Sequence, residues 1–79
     1  MNKYSPLESY LSKQNGTWFK MTLEEIEGIL GDTLPKSAYT YSAWWANGEQ
    51  AHQHSLSWVS VGWKVDTVEF GKYVIFKKI

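Results

Sequence analysis

Trp63-Lys64-Val65-Asp66-Thr67-Val68-Glu69-Phe70-Gly71-Lys72-Tyr73-Val74-Ile75-Phe76-Lys77-Lys78 is the stretch whose reading decides the fold. Runs of β-branched and aromatic residues flank Gly71-Lys72, the Gly-X pair that opens a type II′ turn, so the segment reads as a hairpin. A two-residue loop would pair Phe70 with Tyr73 and Val68 with Ile75, gathering four large apolar groups on one face. Trp63 and Val65 have the opposite parity from Val68 and Phe70. A bulge near Asp66-Thr67 reconciles them.

Upstream of the hairpin, Glu49 to Val61 reads as a helix capped by Gly62. On a 3.6-residue wheel Ala51, Ser55, Trp58 and Val59 share one side, with Gln50, Gln53, Ser57 and Ser60 opposite. Before it, Asn47-Gly48 is a turn signal. The stretch Lys36 to Asn47 has no clean period: Tyr39 and Tyr41 alternate as in a strand, while Pro35-Lys36-Ser37-Ala38 opens a short helix equally well.

The first half is easier to read. Thr22-Leu23-Glu24-Glu25 is a capping box, followed by the apolar stripe Leu23, Ile26, Ile29 and Leu30 and a stop at Gly31. Thr17 to Met21 is short, alternating and rich in β-formers, hence a strand. Ser5-Pro6-Leu7-Glu8 starts an N-terminal helix, with Ser5 as cap, Leu7, Tyr10 and Leu11 on one face, and Asn15-Gly16 as its end. The expected class is α+β: three helices with a three-stranded antiparallel sheet in winged-helix-like order, forming one domain over residues 1–79.

A chain of 79 residues has a thin core. With no cysteine, disulfides and thiolate metal sites are excluded. Five Trp, five Tyr and three Phe must supply the burial, each ring removing about 150–250 Å² from water. Eight Lys balance eight acids, and there is no Arg. A general polyanion binder would show a basic excess, and Arg is the usual bidentate reader of guanine and phosphate. The charge is uneven, however: residues 1–34 hold three Lys against five acids, residues 35–79 five Lys against three. No segment approaches the roughly 20 apolar residues that span a bilayer, and no signal peptide is visible, so a cytoplasmic protein without a membrane partner is expected.

From Pro35 to Ser60 the only formal charges are Lys36 and Glu49, amid hydroxyls, amides, imidazoles and rings. Rings beside neutral hydrogen-bonding groups suit stacking on a base or docking of a peptide. Trp44 and Trp45, being adjacent, would face opposite ways in a strand, which leaves one of them as a partly exposed platform. Lys36 and Ser37 lie at a possible helix start, where a phosphate or carboxylate is favoured. Lys72 stands at the hairpin turn, where the wing of a winged helix meets a phosphate backbone, although Lys is also a common guard of exposed strands. His52 and His54 do not share a helix face, and Glu49 is the only nearby acid, so no metal is expected. No paired carboxylate, nucleophile with base or phosphate loop is present, so neither catalysis nor a cofactor is expected.

Several runs carry a resemblance: Tyr4-Ser5-Pro6-Leu7 with Tyr10-Leu11, Thr22 to Gly31, Leu34 to Ala38, Trp44-Trp45-Ala46-Asn47, Trp58, and Gly62-Trp63-Lys64-Val65. Together they resemble a bacterial and phage domain family of unknown function that occurs alone or beside nuclease-type domains. The family has His at the position of His52 and often Gln where His54 stands, so position 54 departs from its pattern. The resemblance implies a single domain and no established activity.

Two functions are expected. The first is a non-catalytic nucleic-acid-binding module, using Lys36, Ser37, Trp44, Trp45, Asn47, Gln50, Gln53, His54, Ser57 and Lys72. The alternative is a protein-interaction module that binds a host or partner protein. A ring platform flanked by Lys favours nucleic acid; an uncharged ring patch favours protein.

Overall fold

The alternation Trp18-Phe19-Lys20-Met21-Thr22 fixes the first strand, β1 (Trp18–Thr22), with Met21 buried and Trp18, Lys20 and Thr22 exposed. The computed structural model describes residues 3–47 and 53–79. Helix α1 (Ser5–Ser12) precedes β1, and α2 (Leu23–Leu30) follows it directly. One-turn 3₁₀ segments at Lys36–Tyr39 and Ser42–Trp45 lead to α3 (Gln53–Val59), β2 (Trp63–Glu69) and β3 (Tyr73–Lys78). The sheet is antiparallel in the order β1-β3-β2. The α+β class, the three helices and the winged-helix-like element order are thus as expected.

The hairpin departs from its expected register by one residue. Glu69 pairs with Tyr73, Val68 with Val74 and Thr67 with Ile75, so the loop has three residues, Phe70-Gly71-Lys72. The Lys72 N–H bonds the Glu69 carbonyl at 2.9 Å, with Gly71 at the third turn position at φ +74°. A positive φ at that position alone defines a type II turn, not II′. Phe70 therefore stands in the loop, 41 % exposed, and is not on a core face. The bulge lies where it was expected, between Val65 and Thr67, with Asp66 as the extra residue. It turns Trp63 and Val65 inward beside Val68.

The α2 capping box is complete: Glu25 N–H donates to Thr22 Oγ1 at 3.0 Å and Thr22 N–H to Glu25 Oε1 at 2.9 Å. These bonds hold the exposed Glu25 carboxyl below its usual range. In α1, by contrast, Ser5 is the first helical residue and does not cap. Tyr4 takes the N-cap position without a side-chain bond, its carbonyl accepting from Leu7 and Glu8 N–H. Leu7 and Leu11 are buried as expected. Tyr10 faces out, and the ring buried beside α1 is that of Tyr4, its N-cap residue.

The core lies between the helices and one face of the sheet, and it is aromatic. Trp45, Trp58, Trp63 and Phe76 are all buried. Each buried indole N–H has an acceptor, as a ring with one polar edge requires. Trp45 Nε1 donates to Ala38 O at 2.8 Å, Trp58 Nε1 to Asn47 Oδ1 at 2.7 Å and Trp63 Nε1 to Leu11 O at 3.0 Å. Among the described residues no buried side-chain nitrogen or oxygen lacks a partner.

The 3₁₀ segments resolve the ambiguous middle stretch in favour of a short helix at Lys36–Tyr39. That segment is held to α2 by Glu27, which accepts from Leu34 N–H at 2.7 Å and Tyr39 Oη–H at 2.6 Å. The bond to the carboxylate, with some burial, pushes the Tyr39 phenol up to about 12. A phenol whose folded pKa exceeds its unfolded value of about 10 stabilises the fold fully below that value and stops doing so as pH rises toward 12. Wild type is expected to lose stability between pH 10 and 12 more steeply than Tyr39→Phe, measured as the urea midpoint across that range.

Candidate functional site

Paired residues of a sheet share a face, so the register defines two surfaces. Phe19, Phe76 and Val65 form one inward row, and Met21, Val74 and Val68 the next. Helices cover this side. The outward rows are Trp18-Lys77-Lys64, then Lys20-Ile75-Thr67, then Thr22-Tyr73-Glu69. Every residue in them is exposed or half-exposed, and Trp18 is 58 % exposed. Successive rows are about 7 Å apart along the strands.

This outer face combines rings with cations. Lys20 Nζ lies 4.9 Å from the centroid of the Tyr73 ring, and Lys77 Nζ lies 3.5 Å from Asp66 Oδ2. An exposed pair of that kind contributes little, so Lys77 can exchange Asp66 for another anion at small cost. The first two rows carry three lysines and two large apolar side chains, Trp18 and Ile75, with the bulged Asp66 paired to Lys77 and Glu69 in the adjoining third row. Trp18 was not among the expected site residues. It shares parity with Lys20 on an alternating strand, and that was the signal available in the sequence.

The expected site is distributed differently. Ser37, Trp44 and His54 do come together, lining with Tyr41 and Ala43 an open depression of about 390 Å³. The His54 ring stacks on Trp44 at 3.9 Å with an interplanar angle of 2°. His54 Nε2 is 2.8 Å from the Trp44 carbonyl oxygen. Since a carbonyl only accepts, that nitrogen carries the proton. Tyr4 packs edge-on against both rings, its phenol raised by burial and then by Asp32. Among the described residues no lysine lines this depression.

Trp45 and Ser57 are buried, and Asn47 is half-buried. Trp45 is in a 3₁₀ turn, not a strand, which sends it inward while Trp44 stays half-buried. The Asn47 amide is bonded within the fold. Its Oδ1 accepts from Trp58 Nε1 and from Val65 N–H at 2.8 Å, and its Nδ2 donates to Val65 O at 2.9 Å. Ser57 is buried and bonded to the His54 carbonyl, because α3 packs against both α1 and β2 and its inward arc exceeds half the helix. Leu56 faces out instead, 46 % exposed.

Gln50, with Gly48, Glu49, Ala51 and His52, lies outside the described residues, as does the side chain of Gln53. Lys36 is exposed on a single 3₁₀ turn without a side-chain cap, too short for a helix dipole. Lys72 is exposed at the hairpin turn, whose carbonyl accepts from Leu23 N–H at 3.1 Å. The wing tip is thereby tied to the start of α2, at the end of the sheet opposite Trp18. Between α2 and α3 lie the two 3₁₀ segments Lys36–Tyr39 and Ser42–Trp45, where a helix-turn-helix has a tight turn.

A second open cleft, of about 760 Å³, lies between the start of α1 and the end of α2, with Lys3 and Asp32 3.9 Å apart on its walls. Among the described residues no group of three or more His, Asp or Glu side chains could hold a metal ion, and no helix is long and apolar enough to cross a membrane.

These features describe an α+β domain with an open sheet face. Residues 4–79 match the family described as a domain of unknown function (DUF7662), and the chain belongs to that family. No curated protein matches the chain. No solved structure matches it.

Proposed function

We propose that this domain is a non-catalytic nucleic-acid-binding module whose contact surface is the outer face of the sheet. One observation carries the reading: Trp18, the most exposed indole among the described residues, stands in a row with Lys77 and Lys64. Ring planes accept bases and ammonium groups accept phosphates, so a ring platform bordered by lysines suits a nucleic-acid strand. The near-neutral overall charge then means local attraction with a modest salt dependence. The bacterial or phage setting that the family resemblance implies, a defence-system context and a cytoplasmic location belong to the same proposal.

A second reading, a protein-interaction module, is favoured by the depression beside Tyr41, Trp44 and His54, which has no lysine or carboxylate among its described lining residues. Fluorescence anisotropy with single- and double-stranded DNA and RNA at low salt separates the two. Saturable binding that weakens with salt is expected. A flat titration with all four probes would remove the first reading and leave the second.

A further inference from the structure

Resting on the nucleic-acid reading, we infer that the strand bound by the outer sheet face is single-stranded, with a base stacked on Trp18 and its flanking phosphates on Lys64, Lys77 and Lys20. A duplex presents base edges inside grooves and keeps its base planes against one another. Reading it requires a projecting element that enters a groove.

In this element order α3 is the helix that would enter a groove, and its described part offers little for that role. Over Gln53–Val59 it has no lysine, Ser55 and Ser57 face inward, and Leu56 faces out. The chain also has no Arg to pair with guanine.

The sheet face has the opposite properties. It is a surface of three strands over which no helix lies among the described residues, and its exposed ring is in the same row as two ammonium groups. Base stacking on an exposed aromatic needs an unpaired base, and it tolerates any sequence because every base has a π face. Lys20, Lys64 and Lys77 belong to two adjacent rows on three strands, so a nucleic-acid strand running inward from Trp18 at the β1 edge meets Lys77 and then Lys64 across the sheet, with Lys20 beside it along β1. Tyr73, one row beyond Lys20 and Ile75, offers a second ring in the same direction. Charge complementarity therefore selects a polyanion, and the flat ring selects one with free bases.

The test uses the full chain and three fluorescent probes of equal length: a mixed-sequence single strand, its duplex, and a single strand with abasic sites replacing the bases. Wild type is expected to bind the single strand at least about 10-fold more tightly than the duplex or the abasic strand. Trp18→Ala should weaken single-strand binding roughly 10- to 100-fold, with Trp18→Phe retaining most of it. The double variant Lys64→Gln/Lys77→Gln should flatten the salt dependence of single-strand binding by a slope of about 1.4. Circular dichroism verifies that the variants fold, which the exposure of all three positions favours. Equal binding of duplex and single strand, or an unchanged affinity in Trp18→Ala, overturns this inference while the nucleic-acid reading stands. Absence of binding to every probe overturns both.

Discussion

Trp58→Ala is expected to unfold the domain or bring it close to unfolding. The Trp58 ring is fully buried and meets Trp45 at 5.8 Å, Phe76 at 6.0 Å, His54 at 6.1 Å and Trp44 at 6.4 Å between centroids. It is the point at which α3, the second 3₁₀ turn and β3 touch one another. Truncating a buried Trp to Ala costs about 3–5 kcal/mol, from lost transfer energy and the cavity left behind. Total stability for a chain of this length is of order 4–12 kcal/mol. There is no disulfide to hold the remainder together. Thermal unfolding followed by circular dichroism should show a drop in Tm of roughly 15–30 °C, if a transition remains at all. A fall of only a few degrees would mean that the ring cluster is not what holds these elements together.

Asn47→Ala is the second large effect, and it is polar in origin. One amide satisfies the N–H and C=O of Val65 and the indole N–H of Trp58, joining the end of the second 3₁₀ turn to β2 and α3. Alanine leaves two donors and one acceptor without partners in a partly buried place. At about 1–3 kcal/mol for each such group, and with some rehydration, a loss of about 3 kcal/mol is expected. Asn47→Asp keeps the acceptor for both donors but sets a carboxylate against the Val65 carbonyl, so it should be less costly than alanine without being harmless. Because Asn47 and Trp58 share a bond, Asn47→Ala combined with Trp58→Phe should cost less than the two changes added, as read from urea unfolding. Strict additivity would mean that the shared bond contributes nothing.

These two residues also show how far the sequence could be read. The elements and their order were legible because each had a local cause: the Thr22–Glu25 capping box, the Gly31 stop and the β-branched runs around Gly71. The register of the hairpin was not. Phe70-Gly71 and Gly71-Lys72 both contain a turn glycine, and only the backbone decides whether Gly71 takes the second or third turn position. That one-residue difference moved Phe70 from a core face to a loop and paired Val68 with Val74.

The inward turn of Ser57 and the three bonds of Asn47 depend on contacts between segments far apart in the chain, and no local pattern encodes them. The candidate surface was partly legible. The expectation centred on the polar stretch from Pro35 to Ser60, where Ser37, Trp44 and His54 do converge, but on a depression whose described lining has no lysine. Charge lies instead on the sheet. There, the parity of Trp18 with Lys20 was readable from five residues, while the row shared with Lys77 and Lys64 required the β1-β3-β2 order.

A heteronuclear NMR titration of the wild-type chain with an unlabelled single-stranded oligonucleotide tests the surface most directly, since each of the five indole N–H groups gives its own resonance. The Trp18 indole and the amides of Lys20, Lys64, Ile75 and Lys77 should shift progressively, with Trp44 and His54 unmoved. Shifts confined to Trp44, His54 and Tyr41, with Trp18 silent, would contradict a nucleic-acid surface on the open face of the sheet.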